Sequence, residues 1–419
     1  MTLYDQLIDT SNLRNAWRLI HKRPQSAGID EVSINDFRDR LETELGKLSE
    51  DLASTKYRPK RLKGHPLEKG KNTSRLADSK EYRVLKIPTV RDRVVQKCIE
   101  QLIGSTLEKK YKLNNGVSFA YIKGGSVEKA ALKVREYYFA GNGWYYKADI
   151  KGFFDNINKD QLLKLIRAAL PDDSLMPLIE VFLKVDIANA KDLQKVTKKR
   201  YEYDPLVGVA QGSPLSPLFA NVFLSSLDQL AKKKKLNMVR YADDLIVLTK
   251  DKDSAIAAHD IISNHLDSLG LELHKLLVKG DLPEKGHTKH SIVSTYSGMQ
   301  FLGLMFKGSK IYPSGKSFDN AIYTVRRAAN NKSLSLVKKL ISIEARIQGW
   351  CSAYAFTDYR KESIDRVDKL LEDVMSKVLR KSDLKQIHGK TALEALGMAT
   401  YQSRLDSIRD KREKKAAQS

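Results

Sequence analysis

Apolar residues return every three or four positions in some stretches of this chain and crowd into short β-branched or aromatic runs in others. Leu41, Leu45, Leu48 and Leu52 follow the first pattern, so residues 12 to 62 are expected to be helical, interrupted early by a turn at Ala27-Gly28-Ile29-Asp30. Lys63 to Lys80, rich in Gly, Lys and Ser, reads as a basic loop, and Tyr82 to Pro88 as a short strand. Val94, Val95, Cys98, Ile99, Leu102 and Ile103 line one face of a helix expected to begin after Asp92.

A strand is expected over Gly143 to Ile150, where Trp144, Tyr145 and Tyr146 supply aromatic β-propensity. A helix follows over Asn158 to Leu170, with Asn158 and Gln161 spaced as in a capping box. Pro214 and Pro217 open a helix over Leu215 to Leu230, since proline is tolerated in a first turn. Met238-Val239 and Leu245-Ile246-Val247-Leu248 flank Tyr241-Ala242-Asp243-Asp244 as a hairpin. Ala255 to Leu269 then reads as a helix ending at Gly270, with short strands around Leu271 to Leu273, Gln300 to Phe306 and Ile311. From about Ser317 to Leu379 the pattern is helical throughout, one helix carrying Leu336, Val337, Leu340, Ile341 and Ile343 and a second Leu370, Leu371, Val374, Met375, Val378 and Leu379. The fold class is α+β, turning all-α near residue 317, and no internal repeat is visible.

Charge adds a partner to this picture. The 419 residues include 74 Lys and Arg against 51 Asp and Glu, a formal net charge of +23. Cations concentrate at 56–71, 195–200, 232–235 and 409–415, a spread that suits a long groove for a polyanion, with nucleic acid the leading candidate. No apolar run approaches the ~18 residues that a membrane span needs, and the first residues lack a signal-peptide pattern. Two cysteines, Cys98 and Cys351, make neither a disulfide framework nor a zinc knuckle, so a cytoplasmic location is expected.

In so basic a chain the informative residues are acids at the ends of apolar strands. Asp149 closes the aromatic strand, while Asp243 and Asp244 lie between two apolar β segments with no Gly or Asn to mark an ordinary surface turn. Carboxylates half-buried there need compensation, and three of them imply a divalent metal. Mg²⁺ takes oxygen ligands and shares them between carboxylates and a substrate phosphate, and a pair of such ions suits phosphoryl transfer.

At these residues the chain resembles the reverse transcriptases of bacterial group II introns and their stand-alone relatives. Residues 13–61, with AGID at 27–30 and YRP at 57–59, are similar to the amino-terminal extension of that lineage. YRVLKIPTVRDRVVQ (82–96) and the stretch from Ser118 to Leu132 resemble the two fingers motifs. KADIKGFFDNI (147–157), GVAQGSPLSPLFANVFLSSLD (208–228) and VRYADDLIVL (239–248) resemble palm motifs A, B and C. FLGLMF (301–306) is similar to the primer grip and RIQGWCSAY (346–354) to the thumb.

The resemblance implies a right-hand polymerase with a helical/β fingers region, a β-sheet palm and a helical thumb. Its bounds would be an extension at 1–62, fingers at 63–142, palm at 143–310 with a fingers portion between motifs A and B, thumb at 311–380 and a basic helix or tail at 381–419. Asp149, Asp243 and Asp244 would be the catalytic and metal-binding carboxylates for two Mg²⁺ ions, with the Ile150 carbonyl a further ligand. Phe154 would bar a ribonucleotide 2′-OH, with core packing beside Phe153 as the alternative. Gln211 and Gly212 would lie under the incoming dNTP, the glycine allowing close approach. Arg83, together with Lys86 or Arg93, would hold the triphosphate. Tyr241 and Ala242 would position the carboxylates and the primer end, and Asp155 would be structural, at a positive helix end.

The stretch after motif C, LELHKLLVKGDLPEKGHTKH, departs from the family, leaving Lys275 or Lys279 as the lysine acting on pyrophosphate. His287 and His290 within it suit a surface loop better than a metal site. Only the last 39 residues, 381–419, follow Arg380, fewer than a Cys/His endonuclease requires. The expected function is therefore RNA-directed DNA synthesis by a stand-alone enzyme on a structured noncoding RNA in antiphage defence, with cDNA as product and no membrane partner. The alternative is a maturase-type RNA-binding protein; protein priming and untemplated synthesis also remain open.

Overall fold

Helices at the start of the chain begin where a short polar side chain can satisfy exposed N–H groups. Thr2 and Asp5 cap α1 (Leu3–Ile8) reciprocally, Asp9 caps α2 (Thr10–Ile20), and Ser33 with Asp36 caps α3 (Ile34–Asp39). Helix α4 (Leu41–Ala53) buries Leu45, Leu48 and Leu52, the stripe that their spacing predicts. The computed structural model describes residues 1–21, 26–68, 82–201, 204–274, 276, 291–359, 361–379 and 398–417. The chain divides into two units: Met1–Ser126, Tyr146–Val247 and Asp253–Ile292 form the first, and Val127–Tyr145, Leu248–Lys252 and Val293–Ser419 the second.

In the first unit, β1 (Lys63–Glu68) pairs antiparallel with β2 (Tyr82–Ile87), Lys63 opposite Ile87. The basic loop expected from Lys63 is thus a strand at its start; residues 69–81 lie outside the described residues. Helix α5 (Val90–Tyr111) buries Val94, Val95, Cys98, Ile99 and Ile103 and packs against α1 and α2. It begins earlier than expected because Thr89 is the cap. Its hydroxyl accepts from the Asp92 N–H at 3.1 Å and donates to the Asp92 carboxylate at 2.7 Å.

Helix α6 (Val127–Phe139) belongs to the second unit. The strands β3 (Trp144–Asp149), β4 (Asn237–Tyr241), β5 (Asp244–Thr249) and β6 (Ser291–Ser294) form a sheet of order β4-β5-β3-β6. Helices α7 (Phe153–Asn156), α8 (Lys159–Arg167), α9 (Met176–Leu183) and α10 (Ala190–Thr197) follow β3. The Asn158 side chain caps α8, accepting from the Gln161 N–H. The single helix expected over Leu215 to Leu230 is two, α11 (Ser216–Phe223) and α12 (Ser225–Lys233), divided at Leu224. Helix α13 (Lys252–Ser268) ends just before Gly270, while Leu273 makes an isolated bridge with Ile150 in place of the expected strand. Phe219, Phe223, Leu245, Val247 and Ile262 share one apolar core with the face of α5.

The second unit contains a three-stranded antiparallel sheet, β7 (Met299–Phe301), β8 (Leu304–Lys307) and β9 (Lys310–Pro313). The strand expected over 300–306 is split by a turn at Leu302-Gly303, both residues at positive φ. Helices α14 (Gly315–Ala329), α15 (Leu336–Tyr354) and α16 (Lys361–Leu379) bear out the helical expectation for 317–379, and α17 (Tyr401–Ala416) follows them. Their own core holds Val325, Ile343, Ile347, Cys351, Leu371, Met375, Tyr401 and Leu405. The α+β class holds, and among the described residues no helix is long and apolar enough to cross a membrane.

Candidate active site

Strand β3 delivers Asp149 to a nearly enclosed position. Tyr146, Ala148 and Asp149 are all buried, the carboxylate residue at 4 % exposure. The β4–β5 hairpin turns through Ala242 and Asp243, and Ala242 takes a left-handed conformation with φ 58° that lets two residues reverse the chain. Because β5 lies beside β3, the Ile150 N–H donates to the Asp243 carbonyl at 3.3 Å. That backbone bond brings the end of motif A to the tip of motif C. Asp243 and Asp244 are half-buried there.

Among the described residues no three His, Cys, Asp or Glu side chains form a group that could hold a metal ion by themselves. The donor chemistry still fits Mg²⁺, a hard cation usually bound through one or two carboxylates while water and substrate phosphates complete its shell. Asp149 at a strand end and Asp243 and Asp244 at a hairpin tip carry the oxygen donors that such an ion would take. Sequence reasoning missed His274, whose N–H donates to the Asp149 carbonyl at 3.3 Å and whose Nε2 stands 3.7 Å from Asp149 Oδ2. Its only signal was its place in the segment that departs from the family. Lys275, Lys279, His287 and His290 lie outside the described residues.

A second group forms where β2 meets the loops around it. The Lys86 ammonium donates to Asp155 Oδ1 at 2.9 Å, and the Lys86 N–H donates to the Gln211 carbonyl at 2.7 Å. Gly212, at φ 127°, packs so closely that a Cβ would stand 2.7 Å from the Lys86 carbonyl oxygen. The approach its lack of a side chain permits is therefore to the strand, not only to a ligand. The Ser213 hydroxyl donates to Gln96 and the Ser216 hydroxyl to the Ala210 carbonyl, fixing the loop that carries Gln211. Lys86 is thus held by Asp155, which sits in the first turn of α7 as expected but is also an ion-pair partner.

Arg93 does not stand where a triphosphate could meet it: it is 4 % exposed and its guanidinium donates to the Ser26 carbonyl at 2.9 Å. Arg83 is exposed on β2. Phe153 is fully buried while Phe154 is half-buried, their rings 5.3 Å apart. The Phe154 carbonyl accepts from the Val209 N–H at 2.7 Å, so its backbone is fixed to the stretch leading to Gln211. Tyr241 is half-buried, and burial raises its hydroxyl above the ordinary tyrosine range. Tyr121, which sequence reasoning passed over within the second fingers motif, is 52 % exposed at φ 58°. Its hydroxyl is pushed up by burial, then by Asp243 and Tyr241, and pulled down by Arg83, so these four share one electrostatic neighbourhood.

Residues 68–305 match the family described as reverse transcriptase (RNA-dependent DNA polymerase). The group II intron-encoded protein LtrA of Lactococcus lactis subsp. cremoris is 30 % identical over 226 residues, covering 54 % of this chain and 34 % of that protein. The retron Ec83 reverse transcriptase of Escherichia coli is 26 % identical over 194 residues, covering 44 % of this chain and 54 % of that enzyme. A chain of a Cas6-RT-Cas1–Cas2 complex aligns at 26 % identity with a TM-score of 0.39, over 64 % of this chain and 42 % of that one. The chain spans about a third to a half of the length of these curated relatives. Because the family match runs through more than half of the sequence and takes in the strands that carry Asp149, Asp243 and Asp244, this chain belongs to the reverse transcriptase family.

Proposed function

We propose that the chain is an RNA-directed DNA polymerase. A primer 3′ hydroxyl attacks the α-phosphorus of a dNTP paired to an RNA template, the new phosphodiester forms, and pyrophosphate leaves. The observation that carries this reading is the buried Asp149 beside the Asp243-Asp244 tip, joined through the bond from Ile150 to Asp243. Asp149, Asp243 and Asp244 would hold two Mg²⁺ ions, which when bound offset the charge developing on the attacking and leaving oxygens. The Phe154 ring bars a ribonucleotide 2′-OH, Gln211 and Gly212 support the nucleotide, and Tyr241 aligns the primer end. Arg83 engages the triphosphate, whereas Lys86 reaches it only by leaving Asp155.

The fingers, palm and thumb bounds at 63–142, 143–310 and 311–380 belong to this reading. So does a dedicated structured noncoding RNA as template, within a cytoplasmic antiphage system; the resemblance to stand-alone enzymes supports it. The test is dNTP incorporation on a primed RNA template. The Asp243→Ala, Asp244→Ala variant should lose about a thousandfold or more of the activity. Equal incorporation by both proteins, or none by either on the RNA that co-purifies, would sink the reading. Sequencing that RNA separates an intron, as a maturase would hold, from a dedicated noncoding RNA.

A further inference from the structure

The hairpin tip poses a mechanical problem. Ala242 is left-handed at φ 58°, a conformation costing a non-glycine residue about 1 kcal/mol or more, and it sits next to two residues whose carboxylates must be held in place. Two residues before it in the chain lies Arg240, at 0 % exposure the largest of the fully enclosed side chains. Its guanidinium forks onto Asp228, also at 0 % exposure, with Nε–Oδ1 at 2.7 Å and Nη2–Oδ2 at 2.6 Å. That fork leaves Nη1, which donates to the Asn221 side-chain carbonyl and to the Ala242 backbone carbonyl, each at 3.1 Å.

The same residues reach the second fingers motif. Asn115 donates to Asp228 Oδ2 at 3.2 Å, and the Asn221 amide donates to the Ala120 carbonyl at 2.8 Å, next to Tyr121. The Arg240 backbone donates to the Val117 carbonyl at 2.8 Å and accepts from the Phe119 N–H at 3.0 Å. The Arg240 side chain thus ties the hairpin to α11 and α12, and its backbone ties it to the stretch ending at Tyr121.

We infer that Arg240 is a positioning residue: its Nη1 bond to the Ala242 carbonyl, braced by Asp228 and Asn221, holds the left-handed tip so that Asp243 and Asp244 present their carboxylates to the metal ions. Stability alone does not call for this arrangement, because an enclosed ion pair can often be replaced by apolar residues of similar size without loss. What an apolar pair cannot supply is the donor aimed at Ala242. Lysine keeps the charge opposite Asp228 but lacks the planar fork that reaches four acceptor atoms on three residues at once.

This inference rests on the polymerase reading, and the experiment separates the two. Wild type, Arg240→Lys and the double variant Arg240→Met, Asp228→Leu are compared by thermal unfolding, by Mn²⁺ titration with electron paramagnetic resonance, and by primer extension. Both variants should unfold cooperatively, bind Mn²⁺ about tenfold or more weakly, and lose kcat to a similar degree, while the KM for dNTP moves by less than about threefold. Wild-type Mn²⁺ affinity in a folded variant overturns the inference, as does a loss confined to KM. A wild-type protein that binds Mn²⁺ but incorporates no dNTP overturns the polymerase reading, while the titration of the variants still decides the role of Arg240.

Discussion

At the scale of single residues, Asp92 carries charge where water does not reach. It is 2 % exposed and accepts from the Tyr57 hydroxyl at 2.6 Å, the Thr89 hydroxyl at 2.7 Å and the Lys60 N–H at 3.1 Å. Burial pushes its carboxyl above the ordinary value and the three donors pull it back, leaving it raised. The folded protein therefore binds this proton more tightly than the unfolded chain does. The Asp92 contribution to stability is full below the unfolded value and is lost as pH rises through the raised folded value. Asp92→Asn should accordingly gain in melting temperature relative to wild type as pH rises from about 4 to about 7. A constant difference across that range would contradict the assignment. In the sequence Asp92 is one acid in a run of charges, and only its enclosure against Tyr57 sets it apart.

At the scale of elements, the junction of β2 with the loop carrying Gln211 depends on one absent side chain. Gly212→Ala places a Cβ against the Lys86 carbonyl at a φ that L residues rarely adopt, a strain of about 1–3 kcal/mol. A melting temperature lower by several degrees and a raised KM for dNTP are the expected outcomes. A variant that melts and binds as wild type does would show that the junction yields. The sequence motif pointed to this glycine but not to its neighbour, because β2 and the loop carrying Gln211 meet only in the fold. Local signals misled in the other direction at β1. Gly64 and Pro66 read as loop residues, yet Gly64 is a glycine because a Cβ there would collide with the Leu193 side chain, and Pro66 is tolerated in a two-stranded ladder. The break between α11 and α12 was equally hidden, since apolar periodicity continues across Leu224 while the Ser225 hydroxyl bonds back to the Val222 carbonyl.

At the scale of the whole molecule, the net charge of +23 leads to a prediction for nucleic-acid binding under the proposed function. Affinity for an RNA–DNA duplex should fall linearly in a plot of log affinity against log salt, with a slope of about −0.9 for each phosphate neutralised. Fluorescence anisotropy across about 50 to 200 mM salt measures it, and an unchanged affinity would contradict phosphate contacts as the source of binding.

The α+β class, the helical stripes at Leu45, Leu48 and Leu52 and at Ile343, and the three aspartates flanking apolar strands are legible in residue order, since periodicity and strand-flanking acids are properties of neighbouring residues. Tertiary structure alone decided that Lys86 is paired with Asp155, that Arg93 is enclosed, that His274 lies beside Asp149 and that Arg240 reaches the Ala242 carbonyl. The first three depend on residues distant in sequence, and the last, though local, depends on Asp228 of α12 and Asn221 of α11 to hold the guanidinium. Which of many similar cations loses its water, and which acceptor it then meets, depends on distances that no local pattern encodes.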